Sequence, residues 1–567
     1  MPDSTLRGLD PFDARIRLAL AEALQLDAAQ LKLERPRDDK LGEFAFPCFR
    51  IAKEKGVNPA ELAQRLANEL AIADVQQAAA GPFLNFTLDR NALAAQVTLD
   101  AASEAYGHGD RSGTVLVEFS SPNIAKPMHV GHLRTTVIGA ALARFAETLG
   151  HKVVRLNHIG DWGSQFGKLV AAWNRWGDEA ALEATPIDHL LELYVRYHKE
   201  EEEDETLPQE AKEAFRSLES GEENATRATW QRFTELSFRE FDKTYQRLGT
   251  TFDFIRGESW YESHLDSTLA WLEQQQVLEE SDGAIIVDLQ SQGIKTPCLV
   301  KTAHGTTLYA TRDLAAAKSR WEEFAFDHCL YVFGAEQSLH FQQFSAVLRL
   351  AGCAWADRME HIPFGLIRLA EGKISTRQGR VLTLDEVLNR AVELADDIIA
   401  EKNPELPQRD QAAEQVGVGA IVFHDLKHQR QKDVVFDWKE VLSFEGDTGP
   451  YLQYTHARCC AILRKAGRPA PAPSAIDPAL LADSPELLVA IGRYPQAIRE
   501  AWEKREPMVL AQFLLKLASA GNSFYKDRRV LGEDKAMEDA RLCAIDLLCS
   551  TLHKGLTLLG VPTPEEM

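Results

Sequence analysis

At 567 residues, with 45% hydrophobic and 26% charged side chains, the chain is long enough for three or four cores and ordinary in composition for a globular protein. No stretch approaches the roughly 18 consecutive apolar residues of a membrane span, and the opening MPDSTLRGLDPFDARIRLAL mixes acids with bases, unlike a signal or transit peptide, so a cytoplasmic chain without a membrane partner is expected. A net charge of −22 excludes steering to nucleic acid by overall charge; RNA would be held by local basic patches, and no DNA partner is expected.

Residues 1–110 read as a separate α+β module. Helical periodicity runs through DARIRLALAEAL and PAELAQRLANELAI, GPFLNFTL is a strand, and YGHGDRSG (Tyr106–Gly113) is a turn-rich linker. A mononucleotide-binding unit follows. VLVEF (Val115–Phe119) is a strand, SSPNIAKP a loop, and a helix begins near Pro127, whose missing N–H suits a first turn. Leu133, Val137, Ala141, Phe145 and Leu149 recur every four residues and give that helix a packing face. Gly150 closes it and KVVRLNHIG (Lys152–Gly160) is the next strand, completing a βαβ unit.

From about Thr185 to Gly249 the chain is helical and charged, with HKEEEEDE as a solvated run, and reads as an insertion. Strand–helix alternation resumes through AIIVDL, CLVKT, a helix opening near Thr311, and CLYVFGAE, and ends near HIPFGLIRL. Beyond about Leu384 the period is helical, broken at GRPAPAPSAIDP. The expectation is a multidomain α/β protein. It comprises the N-terminal α+β module (1–110), a Rossmann-like parallel-sheet catalytic domain (111–395) with a helical insertion (185–250), a helical connector (396–440) and an all-helical C-terminal bundle (441–567). None of the eight cysteines forms a CxxC pair and no Cys/His spacing suggests zinc, so they read as buried free thiols, with no structural zinc.

His129-Val130-Gly131-His132 falls on the first turn of the helix after the first βαβ strand. Two histidines three apart share one helix face. Gly131 removes a side chain, so that a flat base could lie against the backbone, and the helix N-terminus offers partial positive charge to phosphates.

SPNIAKPMHVGHLR (Ser121–Arg134) resembles the HIGH signature of class I aminoacyl-tRNA synthetases, and in detail that of the arginyl-tRNA synthetases; its region here is Asn123, Ile124, Ala125, Lys126, Pro127, Met128, His129, Val130, Gly131, His132 and Leu133. NHIGDWGSQFG, TLYATRDLAAA, FGAEQSLHFQQF, SFEGDTGPYLQYTHAR and the final LLGVPTPEEM resemble the same family in the same order.

The resemblance implies an arginine–tRNA ligase. The carboxylate of L-arginine would attack the α-phosphorus of ATP, and the arginyl group would then pass to the 2′-hydroxyl of the terminal adenosine of its tRNA. Such chemistry needs positioning and charge neutralisation more than an acid or base. His129 and His132 would donate to the phosphates, Lys126 would add charge, and Mg²⁺ would arrive with ATP as its substrate complex. GKISTRQG (Gly372–Gly379) is similar to the mobile KMSKS loop: Lys373 and Ser375 match, whereas Thr376 stands where the second lysine would be. Gly334 and Glu336 would join the ATP site.

A guanidinium, planar, charged and rich in donors, calls for carboxylates. The resemblance assigns Asp313 and Glu258 to it, with Tyr309 nearby, Asn123 and Gln337 at the α-amino group and Glu118 as a further acid. HDLKHQRQK (His424–Lys432) and FYKDRR (Phe524–Arg529) combine bases with aromatics as RNA contacts would. The C-terminal region resembles the family's anticodon-binding domain and the N-terminal module its tRNA-elbow domain; a monomer is expected. A class I synthetase for another amino acid and a catalytically impaired tRNA-binding paralogue are the alternatives.

Overall fold

The apolar run before Glu118 is suited to a strand buried on both faces, and in the computed structural model, which describes residues 7–220, 222–303, 309–369 and 383–567, it is the centre of the molecule. β1 (Thr114–Glu118) lies in the middle of five parallel strands. β2 (Lys152–Asn157) and β3 (Phe254–Ile255) continue the sheet on one side, β4 (His328–Tyr331) and β5 (Met359–His361) on the other, in the order β5-β4-β1-β2-β3. Glu118 ends β1 opposite Tyr331 and Leu156. Alternation along β1 divides two cores: Val115 and Val117 face one, Leu116 the other. The chain winds to one side through β2 and β3 and returns to the other through β4, so a topological switch point lies between β1 and β4, where open α/β sheets bind ligands.

The β1–β2 crossover is α1 (Val130–Thr148), which starts three residues later than Pro127. Leu133, Val137, Ala141, Phe145 and Leu149 are all buried, and so is most of the rest of the helix, because C-terminal helices cover the side turned away from the sheet. The insertion is helical, ending in α2 (Ala225–Arg247). AIIV and CLVK do not extend the parallel sheet. With Glu279–Ser281 they form a separate three-stranded antiparallel sheet. Such a sheet tolerates water on one face, and Cys298 and Val300 turn inward while Leu299 turns out. α3 (Tyr309–Phe324) and α4 (Ser338–Leu350) flank β4.

The N-terminal module wraps four helices around an antiparallel sheet of Phe44–Pro47, Phe83–Leu88 and Val75–Ala80. It docks on the C-terminal bundle, where the Tyr106 hydroxyl donates to the Ile491 carbonyl at 2.7 Å and Arg493 to that of Glu43 at 2.6 Å. The bundle includes α5 (Arg409–Leu426), α6 (Gly449–Lys465) and α7 (Lys535–Leu559). α7 is long and apolar enough to cross a bilayer, yet 67% of its most apolar stretch is buried inside the bundle, as in a core helix.

HDLKHQRQK is not an exposed basic strip. His424 and Asp425 are buried, Lys427 donates to Glu440 at 2.7 Å and to the Asp447 carbonyl at 3.0 Å, and Arg430 donates to the carbonyls of Pro363 and Arg505. Arg430 thereby links the C-terminal helices to Pro363, just after β5. In FYKDRR, Phe524 is buried while Lys526 and Arg529 are exposed.

Candidate active site

The loop from β1 to α1 carries three non-glycine residues in the left-handed region, Ser120 (φ 75°), Ser121 (φ 50°) and Ala125 (φ 60°). Such conformations persist only when the surroundings over-determine them, and they do here. The Ser120 N–H donates to Thr135 Oγ1 at 3.0 Å and its hydroxyl meets Tyr245 at 2.8 Å. Ser121 N–H donates to Asn157 Oδ1 at 3.1 Å, and Ala125 N–H to Ser237 Oγ at 2.9 Å. Tyr245 and Ser237 belong to α2, so the insertion buttresses the loop. Asn123 is exposed, packed against Gly160, where a Cβ would come within 2.0 Å of its Oδ1.

His129 is the N-cap of α1. Its Nδ1 accepts the Gly131 N–H at 3.0 Å, and His132 Nδ1 accepts the His129 N–H at 3.0 Å, a reciprocal cap built from two imidazoles. Desolvation by the crevice walls lowers the pKa of His129, and burial followed by the neighbouring His129 brings that of His132 down to about 3. Both rings are therefore neutral near pH 7. With each Nδ1 accepting, the proton sits on Nε2, leaving two outward donors at a helix N-terminus. Gly131 has a second reason to lack a side chain: a Cβ would stand 2.8 Å from the His129 ring. Lys126 is exposed, its ammonium 5.2 Å from the centre of the Tyr194 ring in the insertion.

Across the switch point, Gly334, Glu336 and Gln337 follow β4, with Glu336 and Gln337 exposed. A Cβ on Gly334 would meet the Glu336 carboxylate at 2.2 Å, so glycine lets that acid fold back over the turn. Lys373 and Ser375 lie outside the described residues, as does Thr376. The chain is next described at Thr383, which bridges to His129, and Leu384 N–H donates to the Met128 carbonyl at 2.8 Å.

The acids divide into three environments. Glu118 is buried and its carboxylate is taken by Arg320 of α3, itself 1% exposed between the rings of Tyr261 and Tyr331. That pairing ties β1 to α3. Asp313, on the second turn of α3, accepts His340 Nε2 of α4 at 2.5 Å, and that bond raises the His340 pKa. Tyr309 opens α3 and is exposed. Glu258 follows β3, with its N–H bonded to the Ile159 carbonyl at 3.1 Å. Its Oε2 is buried with no hydrogen-bond partner among the described residues. Burial pushes its pKa to about 8, with the charges of Asp313 and Asp161 adding to the rise against Arg312.

Sequence reasoning gave Asp161 no role. It is buried, accepts the Ser259 N–H at 2.9 Å and the Ser259 hydroxyl at 2.6 Å, and lies where a Cβ on Gly257 would strike it at 2.2 Å. It thereby fixes the turn that presents Glu258. The signal was its place in NHIGDWG.

The two imidazoles thus stand at a helix N-terminus after β1, and Glu258, Asp313 and Asp161 lie close enough to act on one another. The family model "tRNA synthetases class I (R), catalytic domain" matches residues 96–438, "Arginyl tRNA synthetase N terminal domain" residues 12–88, and "DALR anticodon binding domain" residues 452–567. The chain is 44% identical over 556 residues to the arginine–tRNA ligase of Clostridioides difficile, covering 96% of this chain and 97% of that one. It is 43% identical over 542 residues to arginine–tRNA ligase 1 of Bacillus thuringiensis, covering 94% and 95%. The solved arginyl-tRNA synthetase of Thermus thermophilus superposes with a TM-score of 0.83 at 31% identity, over 98% of this chain and 99% of that one. The chain belongs to the arginyl-tRNA synthetases, within class I of the aminoacyl-tRNA synthetases.

Proposed function

We propose that the crevice joins L-arginine to ATP, forming arginyl-adenylate and diphosphate, and then passes the arginyl group to the 2′-hydroxyl of the terminal adenosine of arginine tRNA, releasing AMP. The observation that carries the substrate choice is Glu258: a buried carboxylate oxygen with no partner among the described residues, beside a second acid, is a site short of a cation. Glu258 and Asp313 receive the guanidinium, with Tyr309 at the pocket mouth and Asn123 and Gln337 toward the α-amino group. Glu118 acts through Arg320, keeping α3 and therefore Asp313 in place. His129 and His132 donate Nε2–H bonds to the phosphates as charge moves onto the leaving diphosphate. Gly131, Gly334 and Glu336 shape the nucleotide site. Lys126, Lys373 and Ser375 complete the charge around the phosphates; the return of the chain at Thr383 beside His129 supports the last two.

Mg²⁺ enters with ATP as part of the substrate, and no zinc takes part in the reaction. The enzyme works as a monomer in the cytoplasm, without a DNA or membrane partner. Residues 1–110 contact the tRNA elbow, 111–395 carry the chemistry with the insertion at 185–250, 396–440 connect, and 441–567 bind the anticodon. Charging of total tRNA with each amino acid in turn tests the assignment, and a product with any amino acid but arginine overturns it.

Asp313→Asn should weaken arginine binding at least about tenfold, because it replaces an ionic acceptor by an amide whose N–H groups face a cation that has only donors. Citrulline, which lacks the charge, should lose far less. Calorimetry of both ligands with tRNA present decides: equal losses would leave Asp313 as a partner of His340 only.

The arginine KM should fall as pH rises through about 8. Glu258, with its raised pKa, must lose its proton to receive a cation, and His340 must release Asp313, which deprotonation favours. Both effects have the same sign. Glu258→Gln should flatten the profile and raise the KM; a wild-type KM flat across that range would remove Glu258 from the pocket.

A further inference from the structure

Outside the crevice, one group of metal-ligating side chains stands apart among the described residues: His456, Cys460 and Cys549. His456 and Cys460 are one turn apart on α6 and share a face, and Cys549 comes across from α7, packed against it. The two sulfurs are 3.5 Å apart, and Cys460 Sγ lies 3.8 Å from His456 Nδ1 and 3.9 Å from Nε2.

Tetrahedral zinc with Zn–S of about 2.3 Å and Zn–N of about 2.0 Å sets its ligand atoms about 3.8 Å apart for two sulfurs and about 3.5 Å for sulfur and nitrogen. The sulfur–sulfur edge and the edge from Cys460 to His456 match to a few tenths of an ångström, and all three donor atoms lie within 4.8 Å of one another. A disulfide, with S–S near 2.0 Å, would require the sulfurs to close by about 1.5 Å.

The histidine is also oriented. Its Nδ1 is 3.2 Å from the Pro564 carbonyl, and donation there leaves the Nε2 lone pair for the sulfurs. Metal-bound histidines are commonly fixed by such a backbone acceptor. Cys459 and Cys543 are buried free cysteines outside this group.

We propose that His456 Nε2, Cys460 Sγ and Cys549 Sγ form a zinc site that ties α6 and α7 to the C-terminal segment 562–567. Two soft sulfurs and an imidazole select zinc over the oxygen-seeking magnesium and calcium. Binding displaces the thiol protons, and three protein donors leave the fourth position to a water oxygen or to the exposed Glu565, whose charge is felt by His456 and Cys460 alike. Residues 89 apart supply two of the donors, which is why no local Cys/His spacing announced the site.

The full-length protein, stripped with a chelator and kept under a non-thiol reductant, is titrated with Co²⁺. The expected result is saturation at one ion with thiolate-to-cobalt charge-transfer absorption, bleached by Zn²⁺. Cys460→Ser, Cys549→Ser and, where either serine variant folds poorly, His456→Gln should each weaken the ion at least about tenfold, since even losing an outer-sphere partner costs that much. Cys459→Ser and Cys543→Ser should leave the spectrum intact. Absence of the charge-transfer band, the same cobalt spectrum and affinity in Cys549→Ser, or oxidation to a Cys460–Cys549 disulfide in protein that binds no metal would overturn the proposal.

Discussion

His132→Ala should lower the rate of arginyl-adenylate formation by about 10²–10³-fold, the usual effect of removing one donor from developing charge, or about 2.7–4 kcal/mol. The arginine KM should change little, because in the proposed role His132 donates to the phosphates and its bond strengthens only as negative charge moves onto them. A protonated imidazole is not required. With its pKa brought to about 3, His132 stays a neutral Nε2–H donor throughout the working range, so it should add no limb to the pH–rate profile above about pH 5. The variant also loses the acceptor for the His129 N–H, a cap contribution of about 1 kcal/mol that appears in stability rather than in rate. Single-turnover measurement with saturating ATP, arginine and tRNA separates the two. An unchanged rate constant would make the histidine a helix cap alone.

Glu118→Gln tests whether that acid touches the substrate or supports the site from behind. Arg320 is enclosed, and its Nε and Nη2 have no hydrogen-bond partner among the described residues, so Glu118 is its counter-charge. Removing one partner of a buried ion pair typically costs about 3–5 kcal/mol, because the remaining charge is left uncompensated. The expected result is a stability loss of that size in denaturant titration, with turnover falling as α3 shifts. Glu118→Asp, which keeps the charge on a shorter stem, should recover part of it. If Glu118→Gln instead weakened arginine binding while stability held within about 1 kcal/mol, the acid would belong to the pocket after all.

What could be read from the chain alone follows from the range of the interactions. The His129–His132 pair, the βαβ unit around it and the apolar face of α1 depend on spacings of a few residues, and the linear order carries them. The Arg320 that claims Glu118 is 202 residues away, and the Ser237 that fixes Ala125 is 112 away. No periodicity connects such pairs. HDLKHQRQK shows the same limit for charge: its composition suggests a solvated strip, but Arg430 is taken up by carbonyls 67 and 75 residues away, and Lys427 by acceptors 13 and 20 residues on. AIIV and CLVK read correctly as strands, yet which sheet they join depends on tertiary contacts that alternation cannot specify.

Arg134, two residues beyond His132, is buried; it pairs with Asp425 of α5 at 2.9 Å and donates to the carbonyls of Gly365 and Lys432. Near the other end of α1, Arg144 lies so close to Gly560, just past α7, that a Cβ there would meet it at 2.7 Å. A 19-residue helix is a beam about 28 Å long, and α1 is clamped near both ends. Close-packed interiors compress little and transmit strain, so a small displacement of the helical bundle is not absorbed along α1 but delivered at its first turn as a shift of the two imidazoles. The beam makes the positions of His129 and His132 mechanically answerable to the C-terminal helices.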